Sequence, residues 1–183
     1  MSTPPNSISN PELLEPFDDE GVLQVVIETP KGSRNKYAWD EKRRCFQLKK
    51  ALPAGMVFPY DFGFIPQTKA SDGDALDVLV LMDEPAFPGC VLGARLIGVF
   101  EGDDTLEDGS KQRNDRLVAI AEGSDLFADM KHTDDLPAHL RSHMEQFFEN
   151  YPRVLSQKEF KLLRTAGPRE AQHLVQEARK SFR

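Results

Sequence analysis

Apolar residues come in short β-branched runs over the first two thirds of the chain and at helical spacing over the last third. Val22 to Ile27 reads as a strand, and Glu28-Thr29-Pro30-Lys31-Gly32-Ser33 ends it with turn residues. Lys36 to Asp40 and Arg44 to Lys50 predict the arms of a hairpin, the second alternating through Phe46 and Leu48. Met56 to Phe64 is short, aromatic and interrupted by Pro59 and Gly63, while Val78–Met82, Val91–Phe100 and Arg116–Ala121 are further apolar strands. Residues 101–115 read as a polar, acidic hairpin tip. Beyond Asp134-Asp135, Pro137 suits a first helical turn, and Leu140, Met144, Phe147, Phe148 and Tyr151 then recur at helical spacing. A short strand, Phe160–Leu163, leads to Gly167-Pro168 and a C-terminal helix with Ala171, Leu174, Val175, Ala178 and Phe182 on one face. The sum is an α+β, mainly β chain, a meander of strands followed by two helices, which suits a small barrel with helices packed outside. Residues 1–20 read as a flexible N-terminal tail, and 21–183 as one domain.

Composition narrows the function classes. A formal charge of −7 argues against a nucleic-acid binder, though local cations still permit a small anionic substrate. No apolar run suits a membrane span and no secretory h-region opens the chain. The two cysteines, Cys45 and Cys90, make no disulfide framework, so a cytoplasmic protein is expected.

The densest chemistry lies in Asp72-Gly73-Asp74-Ala75-Leu76-Asp77, directly ahead of Val78-Leu79-Val80-Leu81-Met82. Gly73 lets the chain turn so that Asp72 and Asp74 converge, and Asp77 opens a buried strand. Hard cations such as Mg²⁺ take a few carboxylates together with water and substrate phosphate. A solvated acidic turn is the plain alternative. An EF-hand fails, because Leu76 and Asp77 stand at its fifth and sixth loop positions and a strand follows. No Gly-Lys-Ser/Thr phosphate loop, nucleophile elbow or His-Glu-x-x-His is present. His139 and His143 share a helix face, where solvated or packed imidazoles are the simpler reading. What remains is carboxylate-plus-cation chemistry. Glu28, Asp72, Asp74, Asp77, Asp103, Asp104 and Asp115 supply acids, and Arg34, Lys36, Lys49, Lys50 and Arg116 supply cations. That combination predicts metal-assisted attack of water on a phosphoanhydride.

These residues resemble the soluble (family I) inorganic pyrophosphatases. The matching pieces are Val25-Val26-Ile27-Glu28-Thr29-Pro30, Lys36-Tyr37, Phe58-Pro59-Tyr60-Asp61-Phe62-Gly63-Phe64-Ile65 and, above all, Asp72 to Val80. Pro88-Gly89-Cys90-Val91, Ile97-Gly98-Val99, Leu117-Val118-Ala119-Ile120 and Phe147-Phe148-Glu149-Asn150-Tyr151 continue in the same order, covering roughly residues 21 to 180. The resemblance implies a small closed OB-like β-barrel with flanking helices, binding several Mg²⁺ ions and hydrolysing pyrophosphate to two phosphates. It implies Asp72 and Asp77 as metal ligands, Asp77 bridging two ions, Asp74 as general base, Glu28 around metal-associated water, and Lys36 and Tyr151 on phosphate oxygens. A homo-oligomer, a hexamer by analogy, is expected.

The departures cluster around the substrate. Ala38 stands where the family has Glu, Lys50 where it has Arg, Phe58 and Phe62 where it has Tyr, and Pro152 where it has Lys. Where the family has Asp-x-Lys this chain has Asn114 and Arg116, so Lys50 and Arg116 are expected at phosphate and Asp115 takes the metal role if the hairpin shifts by one residue. Asp104 matches the earlier metal-binding Asp by count, with Asp103 as rival. Arg34, Lys49, Arg153 and Lys158 are candidate replacements for lost donors. The alternatives are a hydrolase of another small phosphoanhydride, permitted by the two Phe changes, and a non-catalytic phosphate- or metal-binding relic. Asp74, a base with no structural duty, argues against the relic.

Overall fold

The computed structural model describes residues 10–156 and 159–182. Its strands are β1 (Leu23–Thr29), β2 (Asn35–Asp40), β3 (Cys45–Ala51), β4 (Asp61–Ile65), β5 (Leu76–Leu81), β6 (Val91–Thr105), β7 (Lys111–Arg113), β8 (Arg116–Ala121) and β9 (Glu159–Ala166). Helix α1 spans Ala138–Ser156 and α2 spans Pro168–Phe182. The main sheet runs β1-β4-β5-β8-β6, and β1 pairs with β6 again, so five strands close on themselves. All these pairs are antiparallel except β5–β8. β7 and β9 extend the far end of β6, and β2–β3 form a separate hairpin.

Strands buried on both faces read as continuous apolar runs. Val78 and Val80 join a core that includes Ala171, Val175 and Ala178 of α2. Leu79 and Leu81 point the other way, into a core with Met144, Phe147, Phe148 and Tyr151 of α1. Phe182, expected on the buried face of α2, is 48% exposed at its end.

Three sequence expectations change. Gly63 does not interrupt its strand but lies within β4, where a Cβ would fall 2.1 Å from the Val26 carbonyl oxygen; the strand crosses β1 because that side chain is absent. Much of the segment 101–115 is strand, since β6 continues to Thr105 once β9 and β7 supply partners. Of the expected tail, residues 1–9 lie outside the described residues, and residues 10–20 are fastened to the body. Gln24 N donates to Pro16 O at 2.9 Å, Phe17 bridges Leu23, and Arg179 of α2 pairs with Glu15 at 3.1 Å.

Candidate active site

At the mouth of β5 the turn forms as its residues dictate. Gly73 takes φ +94°, and Asp74 N donates to Asp72 Oδ1 at 3.1 Å. The buried Thr68 hydroxyl accepts from Leu76 N at 3.0 Å and donates to Ile65 O at 2.6 Å, which fixes where the strand begins. Asp77 follows, opposite Phe64. Its carboxylate pairs with Arg116, the first residue of β8, and the two strands run parallel, which brings both side chains to one end of the ring. Burial raises the Asp77 carboxyl, the Arg116 and Lys36 charges oppose that shift, and neighbouring Asp72 and Asp74 add to it.

Glu28, at the end of β1, is 9% exposed and accepts Trp39 N at 2.7 Å. Burial lifts its carboxyl to about 7 against that hydrogen bond, with Asp77 and Asp74 adding to the rise and Lys36 opposing it. Lys36 on β2 places its ammonium 5.3 Å from the centre of the Tyr151 ring. Burial presses that ammonium toward neutrality, but the Tyr151 phenol and Asp77 outweigh it and the pKa is raised. Tyr151 itself, from α1, is raised by burial, with Lys36 opposing. The structure therefore brings Glu28, Lys36, Asp72, Asp74, Asp77, Arg116 and Tyr151 into one electrostatic cluster, with Asp74 exposed. Lys50 stands opposite Lys36 across the β2–β3 hairpin, exposed at the rim.

The segment Arg113-Asn114-Asp115-Arg116 alternates its faces, as extended chain must. Asn114 and Arg116 look toward the cluster: Arg116 donates to Asn114 Oδ1, and Asn114 Nδ2 donates to Asp104 Oδ2 at 2.7 Å. The other carboxylate oxygen of Asp104 is buried with no hydrogen-bond partner among the described residues. Arg113 and Asp115 look away. Asp115, expected as a metal ligand, instead accepts Arg113 Nε at 2.6 Å and Gly102 N at 3.1 Å, so the one-residue shift does not occur. Asp103 faces Arg113 across β6–β7 and lines a polar cleft with Lys111, Glu149 and Arg153.

The remaining candidates have other partners. Arg34 donates to Leu52 O at 3.0 Å, and Lys49 lies 3.9 Å from Asp40. Lys158 lies outside the described residues. His139 and His143 are exposed on α1 with rings 6.1 Å apart, away from the acids. Phe58 and Phe62, read as lost phenols, are 1% and 5% exposed and pack on α1, Phe58 against Phe147 and Tyr151 and Phe62 against Phe148. An apolar groove lined by Trp39, Phe46, Pro88 and Val91 contains none of the acids.

Sequence reasoning passed over two buried acids. Asp61 is fully buried, accepts Ala86 N at 3.0 Å, and is raised by burial. Glu101 is gripped by Arg113 and Arg164. Neither carries a local signal beyond its position in an apolar run.

Among the described residues no three His, Cys, Asp or Glu side chains converge closely enough to hold an ion by themselves. An ion at the Asp72–Asp74–Asp77 turn would complete its shell with water and substrate oxygens, the habit of small hard cations.

Residues 25–183 match the family model described as inorganic pyrophosphatase. An inorganic pyrophosphatase of a Synechocystis species is 40% identical over 131 residues, 72% of this chain and 75% of the relative. One from a Nostoc species is 35% identical over 163 residues, 89% and 93% of the two chains. The crystal structure of the Thermus thermophilus inorganic pyrophosphatase superposes with a TM-score of 0.85 at 29% identity, covering 95% of this chain and 99% of that one.

Proposed function

Because this chain belongs to the inorganic pyrophosphatase family, we propose that it hydrolyses inorganic pyrophosphate to two phosphates, with Mg²⁺ as its cation. Enzymes of this family depend on a metal; the choice of Mg²⁺ rests on the donor set. Every candidate ligand is a carboxylate oxygen, and among the described residues the protein shell is incomplete and one Asp104 oxygen is buried without a hydrogen-bond partner. The observation that carries the reading is the meeting of Asp72, Asp74, Asp77 and Glu28 with Lys36, Arg116 and Tyr151 at one end of the ring.

Asp72, Asp77, Glu28 and Asp104 would supply carboxylates to the cations, no three of them on one ion without water or substrate oxygens, and the cations would supply Lewis acidity toward the phosphoryl oxygens. Asp115 has no part in this set. Asp74, exposed beside Asp77, accepts a proton from the attacking water as the water oxygen bonds to phosphorus and the bridging P–O bond breaks. Lys36 and Arg116 offset the charge that moves onto the leaving phosphate, and the Tyr151 hydroxyl donates to its oxygens. Lys50, at the rim, attracts the anion. Phe58 and Phe62 are buried under α1 and so do not widen the site.

No helix among the described residues is long and apolar enough to cross a membrane. The free thiols of Cys45 and Cys90 favour the cytoplasm.

The test is phosphate release from pyrophosphate with and without Mg²⁺, beside an Asp74→Asn variant. Removing a general base should lower the rate by about 10²–10⁴-fold without altering the fold. Metal-independent release, or full activity in the variant, overturns the assignment.

A further inference from the structure

We propose that the ion pair between buried Glu101 and half-exposed Arg113 positions the acidic loop, acting through the Arg113 carbonyl, which accepts the Ser71 hydroxyl at 3.0 Å. The inference rests on the reading of Asp72, Asp74 and Asp77 as a cation site.

Within residues 70–74 the other hydrogen bonds described are internal. Ala70 N donates to Asp74 O at 2.7 Å, Gly73 N to Ala70 O at 3.1 Å, and Asp74 N to Asp72 Oδ1 at 3.1 Å. These bonds shape the turn, whose flanks are fixed by Lys69 N to Ala178 O at 2.9 Å and by Leu76 N to Thr68 Oγ1 at 3.0 Å, but none of them ties residues 70–74 themselves to the barrel. Ser71 does so, reaching a residue 42 positions later in the chain.

A tether is only as firm as its anchor, and Arg113 is anchored on three sides. Its guanidinium binds Glu101 and, at 2.6 Å, Asp115, and its backbone is in register with Asp103 of β6. Glu101, 5% exposed, sits at the irregularity where β6 shifts register against β9, and Arg164 of β9 holds its second oxygen at 2.6 Å. Asp115 in turn accepts Gly102 N, tying the following strand entrance to the same bulge. The cluster thus links β6, β7 and β9 into one fixed point, and it meets the acidic loop through the Arg113 carbonyl. A held loop presents its carboxylates already gathered, so tethering improves cation affinity by lowering the cost of ordering them.

The experiment uses the full chain and Mn²⁺ as probe, with free Mn²⁺ read by electron paramagnetic resonance and unfolding midpoints measured in parallel. Ser71→Ala removes only the donor and should weaken Mn²⁺ binding about three- to tenfold, the worth of one such hydrogen bond. Its rate in saturating cation should stay near the parent's, since the loss falls on affinity. Ser71→Thr should restore binding. Glu101→Gln, which loosens the anchor, should weaken Mn²⁺ binding in the same direction. Asp72→Asn tests the underlying site. If Asp72→Asn weakens Mn²⁺ binding but Ser71→Ala does not, the tether is overturned alone. If neither weakens it, the cation site falls and the tether with it. A midpoint that drops in Ser71→Ala at unchanged Mn²⁺ affinity reduces the contact to ordinary structure and also overturns the proposal.

Discussion

Glu28→Gln should stabilise the metal-free protein, and only above mildly acidic pH. The carboxyl is 9% exposed, and burial lifts it from the ordinary 4.5 to about 7. A raised folded-state pKa means that the folded chain holds a proton which the unfolded chain has released. The stability linked to Glu28 is therefore fully present below pH 4.5 and is lost as pH rises through about 7. At about 1.36 kcal/mol per pH unit that interval is worth about 3 kcal/mol, with little solvent screening at so buried a site. Glutamine keeps an oxygen for Trp39 N, at 2.7 Å in the parent, and never ionises. Denaturant unfolding of both proteins in EDTA, at one protein concentration from pH 4.5 to 8.5, reads the effect, because groups that do not interact with Glu28 cancel in the difference. The variant's advantage should open from near zero to about 3 kcal/mol and then level off above neutrality. Parallel curves across the range would refute the argument. Adding Mg²⁺ should shrink the advantage or reverse it, since a cation favours the carboxylate that only the parent has.

Phe58→Ala, at a ring 1% exposed between Phe147 and Tyr151, should cost about 3–5 kcal/mol, read from the unfolding midpoint. It should also raise KM for pyrophosphate, because Tyr151 and with it Lys36 lose their backing. Gly63→Ala forces a methyl to 2.1 Å from the Val26 carbonyl oxygen, so its cost should reach the upper end of the roughly 1–3 kcal/mol typical of overpacking. Unchanged thermal stability would show that β1 and β4 can separate freely.

Legibility followed locality. Arg116–Ala121 and the start of the last helix at Pro168 could be read directly, because an apolar run or a proline at a helix's first turn is a local signal. Asp72-Gly73-Asp74 was equally plain, for the turn and the acids are the same residues. Residues 101–115 were read as a polar tip because strand there depends on β9, which arrives some fifty residues later. Counting back from Leu117 places Asn114 and Arg116 correctly, but the metal role for Asp115 needed a one-residue shift of the hairpin, and Asp115 instead pairs with Arg113. That Phe58 and Phe62 are also rings in the packing of α1 has no local signature, because α1 lies some ninety residues further along the chain. Pairs such as Glu101 with Arg164 have no sequence signature at all, since nothing local tells a buried charge from a solvated one.

The 15-residue strand β6 also sets an order of events during synthesis. It is edged by β1, which is made before it, and by β8, β7 and β9, which are made after it. A nascent chain that has just completed β6 carries Val99 and Phe100, both fully buried in the finished protein, with most of their neighbours still unmade. The ring cannot close before Ala121, nor can β6 be fully flanked before Ala166. Ribosomes add about 5–20 residues per second, so that surface stays open for seconds on each chain. Pairings this distant also make refolding slow, on the order of milliseconds to seconds. Slow emergence of the last sixty residues should therefore yield aggregates held together through β6, a defect of production that leaves the finished enzyme untouched.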